Sequence, residues 1–177
     1  MAKDRDNVRI YGDDAGGVWV APKGTTGPTT LAAPAVDFAE VGWLGEDGID
    51  FDRNEDVAEF KAWQGGTLLR KKVTSQDDTF KFVALEETAL TLGLYYKGVE
   101  PTTASSVDTF AIANQAVSDE RAWVVDMVDD TITKRYVVPS GEITGRATVP
   151  HKNSDLTMYE FTVTIYGAYS ILKTAEA

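Results

Sequence analysis

Cysteine is absent from the 177 residues, histidine occurs once, and basic residues are in the minority. Each shortage removes a class of function. Without cysteine there is no disulfide, no thiolate metal site and no cysteine nucleophile, which fits a reducing compartment. With His151 as the single imidazole, His-rich metal sites and two-imidazole mechanisms are excluded. The 17 Lys and Arg face 28 Asp and Glu, for a net charge of −11 and a pI near 4.5. Such a surface repels a phosphate backbone and an anionic lipid leaflet, so a tight charge-driven binder of either is not expected. No run approaches the ~20 apolar residues of a membrane span. The longest candidates, residues 90–96 and 122–128, are broken by Gly93 and Asp126. The charged start, Met1 to Asn7, has no apolar stretch after it, so no secretory signal is expected. The expectation is a soluble protein made in the cytoplasm.

Catalytic motifs are missing as well. There is no Walker loop, G-x-G-x-x-G, G-x-S-x-G or H-E-x-x-H. Asp50-Phe51-Asp52-Arg53-Asn54 matches positions 1, 3 and 5 of a calcium loop. The turn-making sixth position is Glu55 instead of Gly, and the shell-closing twelfth is Lys61 instead of Glu. A solvated acidic loop is the better reading. His151 lies in the turn-like Pro150-His151-Lys152-Asn153-Ser154-Asp155, and no second base is present to build a triad around it. No catalytic residue, metal or cofactor is expected.

What is present is an ordinary core supply, 43% hydrophobic, in a length that fits one domain or one domain plus an arm. Thr, Val and Ile run in pairs and alternations, which suits a pleated, half-buried surface. Residues 1–35 differ from the rest. Two short apolar pieces, holding Val8, Ile10 and Tyr11 and then Val18, Trp19 and Val20, are separated by glycines and followed by Pro22, Pro28 and Pro34. This density of Pro and Gly reads as an extended arm that gains order by lying on something else. A solvated tail is the other reading, and Trp19 and Val20 weigh against it.

Strands follow in residues 36–177. A short apolar piece spans 41–44. Residues 58–62 alternate, Gln64-Gly65-Gly66 turns, and 67–74 continue as a strand. Gln76-Asp77-Asp78 reads as another turn before a strand over 79–85, which makes a three-stranded meander. Leu85, Ala89, Leu92 and Tyr96 stand at helical spacing over the segment 86–96, which has acids at its start and Lys97-Gly98 at its end and reads as a helix. Further strands are expected at 108–113, 121–128, 131–138, 142–149 and 157–166. Asp129-Asp130 joins one hairpin. Trp43 and Trp123 read as core or interface. The fold class is mainly β, an antiparallel sandwich or barrel with one flanking helix.

The charge is unevenly placed. Residues 45–59 hold Glu46, Asp47, Asp50, Asp52, Glu55, Asp56 and Glu59 against Arg53, a net of −6. Residues 61–81 hold Lys61, Arg70, Lys71, Lys72 and Lys81 against two acids, a net of +3. Opposite patches on one subunit suit a head-to-tail contact, which builds rings and filaments. Two solvated faces without a partner are the plainer alternative.

The chain also resembles the major tail, or tail-tube, proteins of long non-contractile-tailed phages, particularly those of actinobacteria. The resemblance lies in an ordered set. It begins with Val41-Gly42-Trp43-Leu44-Gly45-Glu46-Asp47-Gly48-Ile49 and Ala62-Trp63-Gln64-Gly65-Gly66. Val73-Thr74-Ser75, Thr79-Phe80-Lys81-Phe82, Leu85-Glu86 and Leu94-Tyr95-Tyr96 follow. Arg121-Ala122-Trp123 and Arg135-Tyr136-Val137-Val138-Pro139 close it. The resemblance implies six copies in a ring, rings stacked around a tape-measure protein, and a tube that conducts double-stranded DNA during ejection. It also implies a tail terminator and a distal tail protein as partners, assembly in the host cytoplasm, and a place in the virion tail. In such proteins the long loop between early strands and the terminal arms make ring-to-ring contacts. That loop matches the acidic segment here, with the basic set as its complement and Val8, Ile10, Tyr11, Val18, Trp19 and Val20 as arm contacts. No sign of an appended immunoglobulin-like domain follows the last strand. Rival expectations are a tail-terminator ring protein, a ligand-binding β-sandwich and, weakest, a hydrolase.

Overall fold

Where apolar side chains recur at every second position of a strand, that period decides which face is buried, and where they run consecutively, as over residues 122–125, both faces are buried. The computed structural model describes residues 7–34, 37–113 and 117–175. In chain order the elements are β1 (Gly17–Pro22), β2 (Ala39–Glu40), β3 (Leu44–Lys61), β4 (Leu68–Ala84), α1 (Ala89–Tyr95), β5 (Thr102–Ala104), β6 (Val107–Thr109), β7 (Glu120–Asp129), β8 (Ile132–Arg146), β9 (Tyr159–Ile165) and β10 (Ser170–Lys173). β5 and β6 form a small separate hairpin. The rest make one antiparallel sheet in the order β2-β1-β7-β8-β9-β4-β3, with β10 also on β8.

β8 turns this sheet into two layers. Its first half pairs with β7 and β10, and its second half, Gly141–Arg146, pairs with β9. β7 and β4 are three places apart in strand order, yet Trp123 of β7 meets Phe80 of β4 edge-on at 5.8 Å. The core between the layers holds Val18, Val20, Phe80, Phe82, Trp123, Val138, Phe161 and Val163, all essentially inaccessible to water. Burial of each large side chain stabilises the fold by about 1.5–3 kcal/mol.

β9 shows the sequence logic most cleanly: Tyr159, Phe161, Val163 and Ile165 are buried, while Glu160 is exposed. α1 is shorter than the spacing suggested. Its N-cap is Thr88, whose hydroxyl accepts the Thr91 amide at 3.1 Å. No acid lies in its first turn and no base in its last. Tyr159 ties the layer to the segment before α1 by donating to Glu87 at 2.6 Å. Desolvation, then that bond to a carboxylate, pushes the Tyr159 hydroxyl far above the usual phenol range.

Several expectations change. Residues 17–22 are not an arm but β1, inside the sheet between β2 and β7. Their Gly and Pro stand at the ends of the strand, where they punctuate it without breaking the ladder. The expected boundary at 35/36 and the start of the arm, residues 1–6, lie outside the described residues. Residues 76–78 are not a turn: Gln76, Asp77 and Asp78 pair with Glu55, Asn54 and Arg53 inside a continuous β4. The meander is therefore one long hairpin plus β9. Residues 131–138 and 142–149 are one strand, β8, carried past Pro139. The expected strand at 108–113 is strand only through Thr109. Trp123 is core, whereas Trp43 is 69% exposed.

The Pro-rich stretch after β1 is a strap held by one buried ion pair. Arg135 of β8 stands opposite Asp126 of β7. Its Nε and Nη2 donate to the two carboxylate oxygens at 2.6 and 2.5 Å. Its Nη1 donates to the carbonyls of Thr30 and Ala32 at 2.8 and 2.6 Å. Arg135 is 1% exposed and Asp126 5%. The fork of the guanidinium spans carboxylate and strap at once, which an ammonium could not do.

Candidate functional site

β3 and β4 start inside the core and leave it. Phe51 of β3 stacks on Phe80 at 5.4 Å and on Tyr136 at 3.8 Å. β9 accompanies β4 only over Thr79–Ala84, its last pair being Thr79 with Thr164. Beyond that point β3 and β4 run on as a pair, from Arg53 opposite Asp78 to Lys61 opposite Leu68. Nine residues of β3 at about 3.3 Å each make a projecting ribbon roughly 30 Å long. Gly65 and Gly66 turn its tip, both at positive φ (68° and 65°), where a side chain would be strained.

An isolated two-stranded ribbon is marginal in water. This one is laced along its length. Glu59 pairs with Lys71 at 2.7 Å and Lys61 at 3.4 Å, and Arg53 reaches Asp78 at 3.8 Å and Glu55 at 4.0 Å. Ser75 donates to Asp56 and Asn54 to Asp52, each at 2.9 Å. Exposed pairs of this kind give about 0.2–1 kcal/mol each. Tyr169 braces the root. Desolvation, then a hydrogen bond to Asp78, raises its hydroxyl above the ordinary phenol value. An open groove of about 470 Å³ lies there between Arg53, Gln76, Asp78, Tyr169 and Ile171.

The acidic segment, expected to be a loop, is strand. Its side chains alternate with the pleat and meet β4 in register. Asp50 stands opposite Lys81, Asp52 opposite Thr79, and Glu59 opposite Lys71. Glu46 and Asp47 lie in the register break between Leu44 and Ile49. The extended backbone through Asp50, Asp52 and Asn54 cannot wrap an ion as a calcium loop does. Apart from Lys61, which ends β3, the acidic and basic sets thus lie on the two strands of one hairpin, partly neutralising each other within the subunit. Arg70, Lys72 and Lys81 make no ion pair among the described residues.

Two further features were not singled out from the sequence. Trp63 at the ribbon tip is 95% exposed, with Phe60, Leu68 and Leu69 also exposed around it. Large apolar residues flanking a Gly-Gly turn were the signal available. The second feature is an open edge. Among the described residues β3 pairs only with β4, so the other row of backbone groups over Leu44–Lys61 faces no described strand. Long open edges template pairing with another chain.

The expected arm contacts divide. Val18 and Val20 are core, and Trp19 packs half-buried against the cluster of Ala21, Phe38, Ala122 and Val124. Val8 and Ile10 expose their side chains, and Tyr11 is half-buried. The backbone here docks on its own β7–β8 turn. Ile10 N donates to Asp129, Gly12 N and Asp13 N to the Val128 carbonyl, and the Asp13 carboxylate accepts Asp130 N. His151 is exposed in its loop. Among the described residues no three metal-binding side chains cluster, and no helix is long and apolar enough to cross a membrane.

The family model of phage tail tube proteins matches residues 1–176. No curated protein matches the sequence. Among solved structures, a chain from the virion of a native gene transfer agent particle is similar at 9% identity and TM-score 0.47, covering 97% of this chain and 99% of that one. A chain from the tail of an empty gene transfer agent particle, refined with C6 symmetry, gives 10% identity and TM-score 0.44 over 97% and 99%. A chain from the sheath–tube complex of an extracellular contractile injection system gives 8% and 0.37 over 99% and 100%. With a family model matched over nearly its whole length, the chain belongs to the phage tail tube protein family and is a structural component of the virion tail.

Proposed function

We propose that this subunit assembles with copies of itself into stacked rings, six to a ring, that form the conduit for genome ejection. It acts as a structural element and not as an enzyme. The observation that carries the reading is the open β3 edge, whose first half, residues 44–52, flanks a layer, β8-β9-β4-β3, that already has its own core behind it. A neighbour's strand added to that edge continues the layer, and repetition around a closed rotation gives a barrel without edges. The ribbon, leaving the body by roughly 30 Å, supplies contact from ring to ring. The tape-measure protein, the tail terminator and the distal tail protein are its partners along the tube, and assembly takes place in the host cytoplasm. Hydrogen exchange tests the edge pairing: β3 amides that exchange fast in the free subunit become protected on assembly. Equal exchange in free and assembled protein would refute it.

The face of this layer turned away from the core is polar. Asp50, Asp52, Lys81, Glu160, Thr162 and Thr164 occupy it by register. In a closed ring with the core outside, this face lines the channel, where small hydroxyls and a net negative charge give phosphates nothing to grip. Asp50→Lys with Glu160→Lys is expected to leave tubes intact and impair DNA passage. Unchanged ejection would remove these residues from the lumen.

A further inference from the structure

β3 is broken near its start, and the residues in the break can react with each other. Leu44 pairs with Ala84 and Ile49 with Phe82, so residues 45–48 stand against Val83 alone. Glu46, Asp47 and Gly48 are exposed. The Asp47 side chain has no hydrogen bond or ion pair among the described residues. Gly48 follows it at a φ of 72°. No other Asp or Asn in the chain precedes a glycine. An Asp carboxyl lies one methylene from its own main chain, so the nitrogen of the next residue can attack it and close a five-membered ring. A side chain on that next residue hinders the approach. Glycine has none, and it lets the backbone turn as the ring requires. Asp50, Asp52 and Asp56 of the same strand have partners on β4 and are followed by Phe51, Arg53 and Val57.

We propose that Asp47-Gly48 is a self-modification site, where the free subunit isomerises to isoaspartate and assembly prevents it. Gly48 N bonds to Cγ of Asp47 and gives up its proton, which leaves with the carboxyl hydroxyl as water. Water then adds to one of the two carbonyls of this succinimide, and the C–N bond on that side breaks. Opening at Cγ restores aspartate. Opening at the main-chain carbonyl leaves the chain running through Cβ and Cγ, with one carbon more in the backbone. No oxidant or enzyme is needed, and neither mass nor charge changes overall. Packing decides where the added carbon goes. A Cβ on Gly45 would meet Val83 at 3.1 Å, whereas one on Gly48 would meet nothing within 4 Å. Beyond the break, Phe51 is held by its stacks on Phe80 and Tyr136. The carbon is therefore taken up in the open space at Gly48. The core keeps its packing, while the β3 edge falls out of register for a neighbour's strand. That strand, once paired, holds the backbone extended and keeps Gly48 N away from the carboxyl. This protection rests on the edge pairing proposed above.

The test ages the full chain, free and assembled, side by side at growth temperature. Isoaspartate is located by peptide mapping and counted with an isoaspartyl methyltransferase. The expected result in the free subunit is isoaspartate that accumulates at position 47 and not at Asp50, Asp52 or Asp56. Asp47→Glu keeps the charge but would need a six-membered ring, and it accumulates none. Aged wild type keeps its melting temperature, yet its isomerised fraction is lost from newly formed rings. Aged Asp47→Glu assembles like fresh protein. Assembled wild type accumulates less isoaspartate than free subunit over the same time. No isoaspartate at position 47 in the free subunit, or isomerised chains that enter rings as readily as the rest, would overturn the proposal and leave the tube reading standing. Equal accumulation in free and assembled protein overturns the protection if β3 amides are shielded from hydrogen exchange in the rings. If those amides are not shielded, it overturns the edge pairing as well.

Discussion

Arg135→Ala is expected to lower stability by about 3–5 kcal/mol, enough to leave much of the protein unfolded at growth temperature. The variant strands Asp126 as a lone charge between β7 and β8. It also removes the donor from the Thr30 and Ala32 carbonyls, so the strap after β1 loses its tie to the sheet. Arg135→Met with Asp126→Leu should recover part of the loss, because removing both charges together avoids the buried unpaired carboxylate. Recovery should be incomplete, since the strap carbonyls still lack their donor. Urea unfolding of the three proteins measures this. A loss under about 1 kcal/mol for Arg135→Ala would mean that the pair does not hold the strap.

Shortening the ribbon is expected to have the opposite profile: little effect on folding and a complete effect on tube formation. Asp56 and Ser75 are register partners, so replacing residues 57–74 by Asn-Gly closes a two-residue hairpin there. None of the residues removed belongs to either core cluster. The melting temperature should stay within a few degrees of wild type, while the truncated chain forms rings and no tubes. Thermal unfolding and sedimentation read the two halves separately. Truncation that unfolds the protein would show that the ribbon supports the core. Truncation that leaves tubes intact would show that it makes no axial contact.

Local rules suffice where one of them acts alone. β9 and the β7–β8 hairpin follow period-two alternation and a turn at Asp129-Asp130. Gly65-Gly66 marked the end of the β3–β4 pair, and Arg70, Lys71 and Lys72 divide between faces as alternation requires. Such rules do not suffice where long-range pairing overrides local composition. β1, with Gly16 before it and Gly17 and Pro22 at its ends, reads as an arm by local composition. Its place is decided by Val18 and Val20 reaching the core across from β7, which no local window contains. The acidic run reads as a loop, since Asp and Asn disfavour strands. On a ribbon standing in water those residues face solvent on both sides and lose nothing by being extended. Gln76-Asp77-Asp78 misled for the same reason. The candidate site is therefore half legible: the uneven charge of residues 45–81 is plain in the sequence, but the meeting of those charges across one hairpin and the open edge of β3 require the register, and the exposure of Trp63 requires the fold.

Electron microscopy of the purified full chain at high concentration tests the central claim most directly. The account predicts tubes of constant width and variable length, built from rings whose inner wall is continuous through β3. Monodisperse subunits, or single rings that never stack, would contradict it.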